Sequence, residues 1–220
     1  YASTEEGILT NKAGTELIGI PYETAEVTAS KNITRIRIGA ENQILELHLE
    51  ADSVDALPSA NYEYLNHCKV ILKDELLEEF LQKNSAVLAK GVDNCVASEE
   101  KPEETYTVKD DMIVSSKGTL RRVLKADRTS IQLSDEIDTI GDYAFCNAPN
   151  VTALILPQSG KTVSMETNAL AKSGIETIRC YTMTQYHVLK EQLRAAGAEK
   201  EIMLELIGIS KEGYHYAGTE

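Results

Sequence analysis

The stretch of this chain that comes nearest to a catalytic motif is Gly160-Lys161-Thr162, placed directly after the apolar run Leu154-Ile155-Leu156. A strand followed by Gly-Lys-Thr could cradle a phosphate. A phosphate-binding loop also needs a glycine five residues before its last one, so that the backbone can wrap the anion. Ile155 stands at that position, and Pro157 removes an amide donor from inside the cradle. The segment therefore reads as a loop between two strands.

The other chemistry-bearing residues lead to similar readings. Asp127, Asp135, Glu136, Asp138 and Asp142 crowd one region, but a calcium loop needs acids at alternating positions followed by glycine, and that spacing is absent. They read as a solvated acidic edge, and Glu75, Glu78 and Glu79 as the wet face of a helix. The histidines His48, His67, His187 and His215 form neither H-x-x-x-H nor H-E-x-x-H, so zinc has no ligand set. Cys68, Cys95, Cys146 and Cys180 are widely spaced, with no C-x-x-C, and Cys68 and Cys180 sit in apolar alternation as buried free thiols do. No G-x-S-x-G elbow occurs. The expectation is a protein without catalytic, cofactor-binding or metal-binding residues, and the composition singles out no binding residues.

Bulk properties narrow the partners. The 220 residues carry 22 Lys plus Arg against 35 Asp plus Glu, a net charge of -13. Such a field repels nucleic acid and anionic membranes. No apolar run approaches the roughly 20 residues that span a bilayer. The chain begins Tyr1-Ala2-Ser3-Thr4 without initiator Met or signal peptide, as a processed or fragmentary chain would.

The residues that must position everything else are the aliphatic ones, and they are written twice. Val27, Ile33 and Ile36 recur 104 positions later as Ile131, Ile137 and Ile140. Ile44, Leu47 and Leu49 recur as Val151, Leu154 and Leu156, and Leu65, Cys68 and Val70 as Ile175, Ile178 and Cys180. Each half opens with a hairpin pattern around a glycine-bearing turn, Asn11 to Gly14 and Ser115 to Gly118. Each half closes with a helix pattern: Leu76, Leu77, Phe80 and Leu81 after Asp74, and Tyr186, Leu189, Leu193 and Ala196 after the capping box Thr182-x-x-Gln185, with Gly197 as C-cap. The polar, acidic run Ala97 to Glu104 reads as a linker, and Leu204 to Tyr214 as one more hairpin. The blocks are then 1–96 and 107–220, joined by a linker at 97–106.

Within the second half, Ile140-Gly141-Asp142-Tyr143-Ala144-Phe145 followed by Val151, Leu154, Leu156 and Pro157 resembles the "IG-x-x-AF … L-x-x-I-x-IP" unit of the BspA-like leucine-rich repeats of bacterial surface proteins. The likeness runs over about Ile131 to Val188. In the first half the signature is absent, and Arg37-Ile38-Gly39-Ala40-Glu41 follows Ile36. The resemblance implies a β-rich α/β fold: a leucine-rich-repeat solenoid in two related blocks, with Phe145 plugging the coil beside a small Ala144. It also implies a non-catalytic module that binds a protein or a glycan, displayed outside a bacterial cell or secreted. The alternative is a structural spacer or stalk with no ligand of its own.

Overall fold

The computed structural model describes residues 1–4, 7–21, 23–37, 39, 44–60, 68–84, 104–124, 128–146 and 148–207, together with the backbone of 95–97 and 218–219. The chain divides into two compact units, Tyr1–Glu103 and Glu104–Glu220.

In the first unit, β1 (Ala2–Ser3), β2 (Leu9–Thr10) and β3 (Glu16–Gly19) pair antiparallel in sequence, and β3 then pairs parallel with β5 (Arg35–Ile36). The turn between β2 and β3 needs Gly14, which sits at φ +67°, where a side chain is disfavoured. Asn11 Oδ1 closes that turn by accepting the Thr15 N–H at 2.9 Å. A second sheet, parallel throughout, runs β4 (Glu26–Ala29), β6 (Glu46–Leu49), β7 (Lys69–Leu72) and β8 (Cys95–Ala97). Strict alternation in Glu26-Val27-Thr28-Ala29 buries Val27 and Ala29 and leaves Glu26 and Thr28 in water. One core fills the space between the sheets, with Leu17 and Ile36 from one side and Val27, Leu47 and Val70 from the other. Helix α1 (Asp74–Asn84) buries Leu76 and Phe80, one turn apart, against it; Asp74 and Glu75 in its first turn and Lys83 in its last suit the helix dipole.

The second unit repeats the plan. One sheet is ordered β15 (Ser164–Met165), β13 (Thr139–Ile140), β11 (Thr119–Val123), β10 (Met112–Ser115), β9 (Tyr106–Lys109); the other is ordered β12 (Ser130–Gln132), β14 (Ala153–Ile155), β16 (Thr177–Cys180), β17 (Met203–Leu206), β18 (Gly218–Thr219). Ile131, Leu154, Ile178 and Leu204 stand side by side across the second sheet and meet Leu120 and Ile140 of the first. Ala144 and Phe145 are fully buried in that core. Helix α2 (Met183–Gln192) starts at the capping box foreseen in the sequence: Thr182 accepts the Gln185 N–H, and Gln185 Oε1 accepts the Thr182 N–H.

The expected leucine-rich-repeat solenoid is corrected by this arrangement. The strands fall into four separate sheets of four or five strands, two in each unit, mixing parallel and antiparallel pairs, with two helices among the described residues. The regular spacing of Val27, Leu47 and Val70, and of Ile131, Leu154, Ile178 and Leu204, is a pairing period within these small sheets. Nor do the helices close the blocks. Each connects two neighbouring parallel strands, β7 to β8 and β16 to β17, as a parallel pair requires. Leu204 lies in β17, which pairs parallel with β16 and antiparallel with β18, so the expected C-terminal hairpin pairs Glu205 and Leu206 with Thr219 and Gly218, while residues 211–214 lie outside the described residues. The helical stripe is shorter than expected as well: α2 ends at Gln192, and Leu193 to Gly197 form turns, with Gly197 at φ +72°. The linker bounds shift too, since Ala97 ends β8 and Tyr106 opens β9.

Candidate binding face

The phosphate-loop lookalike is a structural turn. Gly160 takes φ +85°, and an added Cβ would lie 2.8 Å from Thr182 Cγ2. Lys161 is committed to its own neighbourhood: its ammonium lies 2.7 Å from Asp138 Oδ1 and donates to the Asp135 carbonyl at 2.6 Å. The fully buried Gln185 ties the turn to α2, Nε2 donating at 2.8 Å to both the Pro157 and Lys161 carbonyls.

The acidic edge separates into individual partners. Glu136 pairs with Lys109 at 3.0 Å, Asp135 accepts from Ser159 Oγ, and Asp142 Oδ1 accepts the Asn168 N–H at 3.1 Å; Asp127 lies outside the described residues. Burial, with the Glu166 charge adding to it, raises the Asp142 carboxyl above its ordinary range. Among the described residues no group of three or more His, Cys, Asp or Glu could hold a metal ion. His187 is exposed on α2, its ring edge-on to Tyr186 at 5.7 Å. His67 and His215 lie outside the described residues. Cys68 and Cys180 are buried free thiols, and burial pushes Cys180 up to about 12, which keeps it an inert thiol. Cys146 is free and half-buried, its Sγ 3.1 Å from Arg122 Nη1; of Cys95 only the backbone is described.

What remains as candidate contact surface is the outward face of each unit's parallel sheet. In the first unit this face carries the row Glu26, Glu46, Lys69 and the row Thr28, His48, Ile71. It is charged, and Glu46 is nearly buried with Oε2 3.2 Å from His48 Nε2. In the second unit the rows are Ser130, Ala153, Thr177, Met203 and Gln132, Ile155, Arg179, Glu205. Their only charges are Arg179 and Glu205, which pair at 2.8 Å. Gln132 folds back, Nε2 donating to the Leu156 carbonyl at 2.6 Å. Ala153, Ile155 and Thr177 are half-exposed, and Met203 is 42% exposed. None of these residues belongs to a binding motif in the sequence. Their signal was the uncharged outward register beside Ile131, Leu154, Ile178 and Leu204, legible only once strand pairing is known.

No helix among the described residues is long and apolar enough to cross a membrane. No family model, curated protein or solved structure matches this chain.

Proposed function

We propose that the chain is a non-catalytic protein-binding module of a bacterial cell-surface or secreted protein, and that it binds through the outward face of β12, β14, β16 and β17. The observation that carries this reading is the contrast between that face and the rest of a chain of net charge -13. Met203, Ile155 and Ala153 reach solvent there beside a single self-satisfied ion pair. Interface cores are depleted in charge and enriched in Met and aromatic residues. A protein suits the face better than a glycan, because these rows offer no aromatic ring for a sugar to stack on. The surface location rests on the motif resemblance around Gly141 and Phe145.

A spacer without a ligand is favoured by one observation. Charged side chains at strand ends satisfy one another, as where Asp52 holds both Lys31 and Lys73. Biolayer interferometry against a panel of purified extracellular proteins and immobilised glycans separates these readings. The double variant Ile155→Glu/Met203→Glu should abolish binding to a protein of the panel, while Thr28→Glu on the first unit leaves it intact. Glycan binding alone, or binding untouched by the double variant, overturns the assignment; binding to nothing supports the spacer.

A further inference from the structure

Arg121 points outward from β11, and its neighbours along the parallel ladder continue the pairs Leu120–Ile140 and Ile140–Met165 to Gly141 and Glu166. Gly141 takes no left-handed conformation; what it supplies is room. An added Cβ would meet the Leu120 carbonyl at 3.0 Å and Arg121 Cδ at 3.4 Å. The arginine therefore lies across a glycine, and its Nη1 reaches Glu166 at 3.3 Å, two strands away. The other side of the guanidinium grips Glu104: Nη2 lies 2.8 and 3.0 Å from the two carboxylate oxygens, and Nε 3.2 Å from one of them. This two-pronged geometry is the strong form of a carboxylate contact. Lys117 adds a second cation 3.6 Å away, and the Glu104 side chain is only 8% exposed. Glu166 in turn accepts the Asp142 N–H at 2.7 Å.

Glu104 is the first residue of the second unit and stands just ahead of β9, the edge strand of its sheet. β9 adds nothing to the core. None of its side chains is buried, and Val108 is 41% exposed. Its turn into β10 places Asp110 at φ 52° and Asp111 at φ 63°, a conformation that L residues enter at a cost. Its attachments include four residue pairs with β10, the surface ion pair of Lys109 with Glu136 at 3.0 Å, a Thr107 Oγ1 hydrogen bond to the Val114 carbonyl at 3.4 Å, and the grip on the nearly buried Glu104.

We propose that β9 is a displaceable strap over the edge of β10, and that the Arg121–Glu104 pair is the clasp that closes it. Hydrogen exchange on the full chain tests the clasp, because edge openings are local events with their own free energies. In Arg121→Met and in Glu104→Gln, exchange over residues 106–109 should rise by roughly tenfold while β12, β14 and β16 keep their protection. Arg121→Lys, which keeps the charge and loses the fork, should fall between, and Glu166→Gln should leave β9 unchanged. Unchanged β9 exchange in both clasp variants overturns the proposal, as does a uniform rise through the whole second unit.

Discussion

Gly174 passes so close to the Pro149 carbonyl that no Cβ fits between them; an added one would also lie 3.1 Å from the Val151 carbonyl. All the obstructing atoms are backbone, so relief requires moving the main chain. Gly174→Ala is expected to destabilise by about 3 kcal/mol, the upper end of the overpacking range. A urea melt of the two proteins checks it, and an unchanged midpoint would show that the loop can yield.

Phe145 is fully buried among Leu, Ile and Val of the second core. Phe145→Ala leaves a cavity whose walls are strands fixed by their ladders, so a loss of roughly 3 to 5 kcal/mol is expected. The same melts, with the native near-ultraviolet signal as reporter, measure it; a shift under about 1 kcal/mol would mean the core collapses freely onto the hole.

Gln185 serves α2 and the Pro157–Lys161 turn together. Gln185→Ala removes the side-chain half of a capping box and the hydrogen bonds to the Pro157 and Lys161 carbonyls, of which Pro157 keeps the Gly160 N–H at 3.1 Å. A loss of about 1 to 3 kcal/mol follows from the lost hydrogen bonds. Gln185→Glu should also be poor, since a carboxylate offers no N–H to either carbonyl. Equal stability of the three proteins in thermal melts contradicts this.

Two acids give opposite pH responses. Hydrogen bonds from Lys31 and then Lys73 lower the Asp52 carboxyl from 3.8 to about 2 in the folded chain. Its contribution is present above its unfolded value and fades as pH falls through 4 towards 2. Asp142 is shifted the other way, by burial and then by Glu166. A raised carboxyl is stabilising only below its unfolded value and loses that contribution as pH rises through its folded value. Asp142→Asn should therefore stabilise the chain at pH 7, since an amide oxygen can still accept the Asn168 N–H. Asp52→Asn should flatten the acid limb below about pH 4. Urea titrations of both variants across pH are the check, and parallel curves for all three proteins sink both expectations.

The aliphatic pattern was the most legible part of the chain. Ile131, Ile137, Ile140, Val151, Leu154 and Leu156 are all buried, because alternation along a strand is a local property that sequence records directly. The Thr182–Gln185 box was equally plain, being four residues long. What misled was pairing across distance. β7 and β8, and β16 and β17, pair parallel around a helix, and nothing in the sequence of α1 or α2 announces a strand beyond it. The fixed period reports neighbours in small sheets, not continuous coils. β9 was missed because its turn uses Asp110-Asp111, without the glycine that marks the other hairpins. Gly141 opens the turn that runs to Ala144, whose N–H it accepts at 3.2 Å, and its missing side chain also clears the path of Arg121, which no local pattern records. The binding rows were invisible for the same reason as the pairing, since Met203 joins Thr177, Ala153 and Ser130 only through register.

Two methionines allow the binding claim to be tested in place. Met203 lies on the outward face of β17 and is 42% exposed, while Met183 stands at the start of α2 and is 51% exposed. Brief hydroxyl-radical oxidation of intact source cells, read by mass spectrometry against the purified chain, reports the cover over each. The account expects Met203 to be protected on cells while Met183 oxidises as it does in the purified chain. Equal oxidation of both methionines on cells and in isolation would contradict a bound partner on that face.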